Sequence, residues 1–126
     1  MDIWFNPKCS KCRVARDAFD EAGLTYELRH YLDQPPTREE FADLLARLDL
    51  APWDVCRIPD ASALGIELPP ARDAAHRQAW IDVMADNPSI IQRPIVVTDD
   101  GAAYVVRDPR TLAELTVQPT RPIDRS

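Results

Sequence analysis

The 126-residue sequence lacks an apolar run near the roughly 20 residues that a membrane-spanning helix needs. Its first residues, Met1 to Trp4, lack the charged segment and the long apolar segment of a secretory signal peptide. Cysteine is scarce, and its three copies, two of them three positions apart, do not form the pattern of a secreted disulfide-rich protein. These absences predict a cytoplasmic protein that has no membrane partner.

Basic residues are also fewer than acidic residues. Fifteen lysines and arginines against 21 aspartates and glutamates give a net charge of −6 and a pI near 4.8. A general nucleic-acid binder is normally basic, so no nucleic-acid partner is expected. The length and the 45% hydrophobic content are those of one globular domain that can bury a core without disulfides or metals.

Against this acidic background, the short segment from Asn6 to Arg13 is locally basic. It follows the apolar run 3–5 and precedes the amphipathic segment 14–24, which predicts a strand, a tight loop and a helix with Cys9 at the tip of the loop. Unpaired N–H groups and the positive end of the helix dipole favour a thiolate there. We therefore expect Cys9 to ionise more readily than a free thiol, helped by four nearby cations, Lys8, Lys11, Arg13 and Arg16.

Periodicity and helix-capping residues divide the chain into short strands and helices. The predicted strands cover residues 2–5, 25–31, 95–97 and 103–106, the last two joined as a hairpin by Asp99-Asp100-Gly101. The predicted helices run from Ser10 to a stop at Gly23, from a Thr37 capping box through Leu48, from 72 to 86 and from 109 to 115. Residues 51–70 are predicted to be irregular, with at most a helical turn near 61–64, and the tail, about 118–126, to be frayed.

This order of elements predicts an α/β protein with a thioredoxin-like fold. A β-α-β unit comes first, a helical insertion of about residues 37–87 follows, and a β-hairpin with a final helix completes one domain. In such folds a proline at the start of the third strand usually has a cis peptide bond and faces the active cysteine. Arg93-Pro94 occupies that position, so a cis bond is predicted there.

Cys9 and Cys12 form a C-x-x-C pair at the strand-to-helix junction, which in this context indicates redox chemistry. Zinc binding is the alternative. The remaining candidate ligands, Cys56, His30 and His76, do not supply a second compact pair, so no metal site is predicted. Cys56 is more simply a small buried hydrophobe than a third thiol of the site.

Three arginines stand in distinctive places, although each alone is most simply a solvated charge. Arg57 lies in the irregular region, Arg93 precedes the predicted cis-proline, and Arg107 ends the last strand. If the three converge on one thiol, their guanidinium groups form a pocket for a tetrahedral oxyanion. The residues alone leave that convergence open.

The sequence resembles the arsenate reductases of the glutaredoxin-coupled, thioredoxin-fold class from residue 2 to about residue 115. The matching motifs are Asn6-Pro7-x-Cys9-x-x-x-Arg13, Tyr31-Leu32 before two prolines, part of the chain from Leu68 onward, and Arg93-Pro94-Ile95-Val96-Val97-Thr98. The resemblance implies that Cys9 attacks arsenate and that Arg57, Arg93 and Arg107 bind the arsenate oxygens, with Arg110 a near rival of Arg107. It also implies a supporting set, Asn6, Lys8, Arg13 and Pro94.

The same resemblance implies the partners of the reaction. Glutathione or another thiol supplies electrons, glutaredoxin or thioredoxin restores the protein, and no bound cofactor is needed. The sequence departs from the family pattern where a serine is replaced by Cys12 and a histidine by an aromatic residue of Trp4-Phe5. Cys12 is thereby placed to resolve the Cys9 adduct internally. The C-x-x-C pair also resembles redox-sensing regulators that bind RNA polymerase, so a regulator or a general thiol oxidoreductase stays open as an alternative.

Overall fold

Four short strands form one sheet in the order β2-β1-β3-β4 in the computed structural model, which describes residues 1–117. β1 is parallel to β2 and antiparallel to β3, and β3 is antiparallel to β4. The strands are β1 (Asp2–Trp4), β2 (Glu27–Arg29), β3 (Ile95–Val97) and β4 (Ala103–Val105). The predicted frayed tail, about 118–126, lies outside the described residues.

Within residues 1–117, five α-helices accompany the sheet, and short 3₁₀ turns lie between some of them. They are α1 (Ser10–Glu21), α2 (Arg38–Leu48), α3 (Ile58–Ala63), α4 (Arg77–Asp86) and α5 (Pro109–Thr116). β1, α1 and β2 form the predicted β-α-β unit, and β3, β4 and α5 form the predicted hairpin and final helix. This is a thioredoxin-like α/β arrangement.

The ends of α1 and α2 agree in part with the predicted helix signals. Gly23 adopts φ +74° just after α1, as its predicted role as a helix stop requires. Thr37 caps α2 by accepting the Glu40 N–H at 3.0 Å. The Glu40 carboxylate, however, bonds the Arg29 guanidinium at 2.6 and 3.1 Å rather than the Thr37 N–H. Only half of the predicted capping box therefore forms, because an arginine on β2 competes for the carboxylate.

Two helical boundaries and one strand differ from the sequence prediction. The helical turn predicted near 61–64 begins earlier, at Ile58, and follows a 3₁₀ turn at Pro52–Val55. The helix predicted from residue 72 begins at Arg77, because Asp73 accepts the His76 N–H at 3.0 Å and caps a separate 3₁₀ turn. The strand predicted over 25–31 is only three residues long, matching the three residues of its single partner β1.

The sheet buries apolar side chains on both faces, since successive residues of a strand point in opposite directions. Ile3 packs in one cluster with Phe19 of α1, whereas Trp4 packs in the other with Trp80 of α4. Trp4 of β1 also pairs in register with Ile95 of β3. That pairing places the loop after β1 and the chain before β3 at the same end of the sheet. None of the helices within residues 1–117 combines the length and apolar character needed to cross a bilayer.

Candidate active site

The loop after β1 is folded by its own polar groups. The Asn6 side-chain Oδ1 accepts the Lys8 N–H at 3.0 Å, and the Asn6 carbonyl accepts the Cys9 N–H at 3.0 Å. Arg13 reaches back from α1, where its Nη1 donates to the Pro7 carbonyl at 2.8 Å. These contacts hold Cys9 at the N-cap position of α1, half-buried at the tip of the loop.

The environment of Cys9 favours its thiolate form. Partial burial opposes ionisation, but the N–H groups of Cys12 and Lys11, the Cys12 thiol and the Arg93 guanidinium face the sulfur and outweigh that effect. Together they lower the pKa of the Cys9 thiol to about 7. A substantial fraction of Cys9 is thus a thiolate, the nucleophilic form of cysteine, at neutral pH.

Of the two predicted causes of this shift, the N–H groups at the helix start are found and the basic side chains are not among the largest. The largest groups that lower the pKa of Cys9 are two backbone N–H groups, a thiol and Arg93, rather than the four nearby basic side chains. Arg13 is directed to the Pro7 carbonyl, and Arg16 pairs with Asp17 at 3.2 Å. The helix end that the sequence predicted does contribute, through N–H groups that the first turn leaves unpaired.

Cys12 has the opposite character. It lies one turn into α1 with none of its side chain exposed, and the Asn6 N–H donates to its Sγ at 3.5 Å. Burial raises the pKa of the Cys12 thiol to about 12, the adjacent Cys9 adds to the rise, and the Asn6 N–H and the Arg93 charge oppose it. The two cysteines therefore differ sharply: Cys9 is the reactive thiolate, and Cys12 stays protonated beside it.

Arg93 reaches this pair from the chain before β3. The Arg93–Pro94 peptide bond is cis, as predicted, and Pro94 is buried. Arg93 Nη1 donates to the Ser89 carbonyl at 2.9 Å, and the guanidinium is near enough to Cys9 to lower the pKa of its thiol. The chain before the hairpin thus places the positively charged Arg93 guanidinium near the cysteine loop.

The hairpin also distinguishes the two rival arginines near its end. Arg107 Nη1 donates to the Arg93 carbonyl at 2.6 Å. Arg110 instead lies 3.6 Å from Glu114, and its side chain is 89% exposed. The structure therefore joins Arg107 to the segment that carries Arg93 and directs Arg110 to solvent.

Arg57 is engaged elsewhere. Its Nε lies 2.7 Å from an Asp60 carboxylate oxygen, and its Nη1 donates to the Gln92 side chain at 2.7 Å. Gln92 is the chain neighbour of Arg93, but the Arg57 guanidinium already has these two acceptors. Convergence of all three arginines on Cys9 stays a prediction. Cys56 is buried, as expected for a small hydrophobe, and burial raises its pKa to about 11.

Comparison with known proteins decides the family. The model of the ArsC family matches residues 4–115. The protein belongs to the ArsC family. An uncharacterized protein in the glnII region of Streptomyces viridochromogenes is 47% identical over 85% of this chain and 91% of its own length. A protein named arsenate reductase from Neisseria meningitidis is 36% identical over 82% of this chain and 87% of its own length.

Solved structures agree with this assignment. A putative arsenate reductase from Yersinia pestis matches 90% of this chain and 97% of its own with a TM-score of 0.76 at 30% identity. An arsenate reductase from Vibrio cholerae matches with a TM-score of 0.72, also at 30% identity, over 90% of this chain and 97% of its own. The predicted resemblance and the predicted fold are confirmed at the level of the ArsC family.

One residue near this site was not among the predicted site residues. Tyr31, just after β2, is fully buried, and its hydroxyl has no hydrogen-bond partner within residues 1–117. Burial raises the pKa of Tyr31 to about 12, which the Arg93 charge opposes and Cys12 and Cys9 reinforce. Tyr31 is the first residue of one of the motifs that carry the family resemblance, but no role was predicted for its hydroxyl.

Metal binding finds no support in the described part of the chain. Within residues 1–117 no group of three or more histidine, cysteine, aspartate or glutamate residues is arranged to hold a metal ion. His76 pairs with Asp73 at 2.6 Å, and the His30 ring packs edge-on against Phe5 at 5.8 Å. Each histidine thus has a partner other than the cysteine pair.

The difference between the cysteines predicts a simple labelling pattern. Iodoacetamide should modify Cys9 first, with a rate that rises through a midpoint near pH 7, because only the thiolate reacts and the pKa of Cys9 is about 7. Cys12 and Cys56 should stay unlabelled at that pH. Mass spectrometry of tryptic peptides after timed labelling measures each site, since Lys11 separates Cys9 from Cys12. A Cys9 midpoint near the ordinary value of about 8.5 contradicts the described environment.

Proposed function

We propose that this protein reduces arsenate to arsenite, with Cys9 as the nucleophile and a thiol as the source of electrons. The observation that carries the proposal is the low-pKa Cys9 thiol held against the Arg93 guanidinium at the start of α1. A nucleophile and a cation in contact suit attack on an anion. The relatives named arsenate reductase support arsenate as that anion.

In the first step the Cys9 thiolate attacks the arsenic atom. One sulfur–arsenic bond forms and one arsenic–oxygen bond breaks, and the departing oxygen leaves as water once it has been protonated. Arg93 neutralises charge on the oxyanion as the bond forms, and Arg107 adds a second cation through its contact with the Arg93 carbonyl. Arg57 joins them only after it releases the Asp60 carboxylate.

In the second step another thiol attacks the Cys9 sulfur. The sulfur–arsenic bond breaks with its electron pair left on arsenic, so arsenic is reduced from the +5 to the +3 state and arsenite leaves. Cys9 and the attacking thiol are oxidised to a disulfide. The scheme uses thiol electrons throughout and needs no bound cofactor.

We propose Cys12 as the attacking thiol. It lies beside Cys9, and the charge of the Cys9 thiolate is one of the causes that hold the pKa of Cys12 high. Once the Cys9 sulfur is bonded to arsenic, that charge is gone and Cys12 ionises more readily. Thioredoxin or glutaredoxin would then reduce the Cys9–Cys12 disulfide with two electrons. In the alternative route glutathione attacks, and glutaredoxin clears the mixed disulfide.

A redox-sensing regulator that binds RNA polymerase is the second candidate, and the C-x-x-C pair is the feature that favours it. In that case oxidation of Cys9 and Cys12 changes a partner surface and no substrate is turned over. The Arg93 cation near Cys9 has no task in such a regulator. It is the reason why the enzyme is the better supported of the two.

Arsenate-dependent oxidation of NADPH separates these candidates. One assay contains glutathione, glutaredoxin and glutathione reductase, and the other contains thioredoxin and thioredoxin reductase. Turnover in at least one assay is expected, with phosphate inhibiting weakly because it has nearly the shape of arsenate but cannot be reduced. Absence of arsenate-dependent turnover in both assays contradicts the enzyme proposal.

A Cys12→Ser variant tests the internal resolving role. We expect turnover with thioredoxin to fall at least about tenfold, because no second thiol of the protein can attack the Cys9 adduct, while turnover with glutathione and glutaredoxin persists. Cys56→Ala is the matched control, since it removes the other buried thiol. Full activity of Cys12→Ser with thioredoxin shows that Cys12 is a spectator.

A further inference from the structure

Two buried polar atoms beside the cysteine pair lack hydrogen-bond partners within residues 1–117. They are the Tyr31 hydroxyl and Nε of Arg93, and they are the two side-chain atoms of this kind in that part of the chain. Buried donors are nearly always paired in native proteins, because leaving one unpaired is costly. Two such atoms at one site call for a common explanation.

The position of the Tyr31 hydroxyl is fixed by packing. The ring lies in the apolar cluster on the α2 and α4 face of the sheet, with its centroid 5.8 Å from that of Trp4. None of the Tyr31 surface is exposed, so the ring has no room to swing toward solvent. Besides burial, Arg93, Cys12 and Cys9 are the groups that shift the pKa of this hydroxyl, so it is near the cysteine pair.

Both unpaired atoms are hydrogen-bond donors. Burial raises the pKa of Tyr31 to about 12, so its hydroxyl keeps its proton at neutral pH. The Nε of a guanidinium always carries a hydrogen and cannot accept. Arg93 uses a different atom, Nη1, to donate to the Ser89 carbonyl at 2.9 Å. The Tyr31 oxygen can also accept, and the Arg93 guanidinium interacts with it, but the Tyr31 proton has no acceptor there because a guanidinium cannot accept. An oxyanion is a ligand rich in acceptors.

We propose that Tyr31 is an oxyanion-binding residue, whose hydroxyl donates together with Arg93 Nε to one oxygen of the tetrahedral anion that Cys9 attacks. The inference rests on the proposed function, because it concerns the same anion. Both atoms are covered in the protein alone, so binding requires the half-buried Arg93 side chain to turn and uncover them. The Tyr31 hydroxyl would then donate to the anion a hydrogen bond that it does not make in the free protein.

A Tyr31→Phe variant tests the proposal without a reductant or turnover. Inorganic phosphate and arsenate are titrated as protectors of Cys9 against iodoacetamide, and rates with and without the anion are compared within each variant so that changes in thiol reactivity cancel. We expect half-protection to need about tenfold more anion than in the wild type. Tyr104→Phe, on the exposed side of β4, is the matched control and should protect like the wild type.

The melting temperature supplies the second readout. Phenylalanine removes a buried hydroxyl that has no partner, so the anion-free Tyr31→Phe variant should melt no lower than the wild type, while its melting temperature rises less on adding phosphate. Unchanged protection in Tyr31→Phe overturns the role of Tyr31 and leaves the proposed function standing. Failure of both anions to protect even the wild type overturns the inference and the proposed function together.

Discussion

Replacing Cys9 with serine is expected to lower arsenate-dependent turnover by at least about 10³-fold. A serine hydroxyl does not ionise near pH 7, and an oxygen–arsenic bond at this position cannot return an electron pair to arsenic as the sulfur–arsenic bond does. No other thiol can take over, because Cys12 and Cys56 are buried and burial raises the pKa of each, to about 12 and about 11. The rate of arsenite formation with saturating reductant measures the effect.

The fold of the Cys9→Ser variant should survive, which makes the result interpretable. Cys9 is the N-cap of α1 and makes no side-chain cap hydrogen bond, whereas serine is among the preferred N-cap residues. The melting temperature should therefore not fall. Turnover should fall in both the glutaredoxin assay and the thioredoxin assay, because both reductants act after Cys9 has reacted. More than a few per cent of wild-type turnover in the variant means that another group attacks arsenate.

Replacing Arg93 with alanine should lower kcat/KM for arsenate by about 10² to 10³-fold. The change removes a cation that lies against the Cys9 sulfur and is placed to neutralise the developing oxyanion charge. It also removes a group that lowers the pKa of Cys9, so the midpoint of iodoacetamide labelling should move upward from about 7. The lower kcat/KM and the higher labelling midpoint both follow from the loss of one positive charge. The labelling experiment detects that loss in the absence of substrate.

Two further variants separate charge from geometry at this position. Arg93→Lys keeps the charge but not the planar fork that pairs with two oxygens, so it should recover the labelling midpoint better than the turnover. Arg110→Ala is the matched control, because the Arg110 side chain is 89% exposed and forms its one ion pair within residues 1–117 with Glu114. If Arg93→Ala and Arg110→Ala behave alike, the cation beside Cys9 has no part in the reaction.

The sequence predicted the frame of the site because its signals are local. Apolar runs marked β1 and β3, Gly23 and Thr37 marked helix ends, and Cys9 fell at the start of α1 as expected. The cis bond before Pro94 was also predicted, from the order of the elements and the place of the proline in that order.

Longer-range competition between side chains could not be predicted in this way. The Glu40 carboxylate bonds to Arg29 rather than to the N-terminus of its own helix. The Arg57 guanidinium donates to Asp60 and Gln92. The low pKa of Cys9 and the effect of N–H groups at the helix start were expected, whereas the effects of the Cys12 thiol and of Arg93 were not. Arg29 and Glu40 are 11 positions apart in the sequence, and Arg57 and Gln92 are 35 apart. Periodicity does not contain such contacts between separate segments.

A single turnover without any added thiol tests the central claim most directly. Fully reduced protein is mixed with an equal amount of arsenate, and arsenite and the state of each cysteine are measured together. Because Lys11 lies between Cys9 and Cys12, trypsin leaves them on separate peptides that stay joined only by a disulfide. The account predicts about one arsenite per protein and a matching amount of the joined peptides. Recovery of all the arsenate with both cysteines still reduced would contradict it.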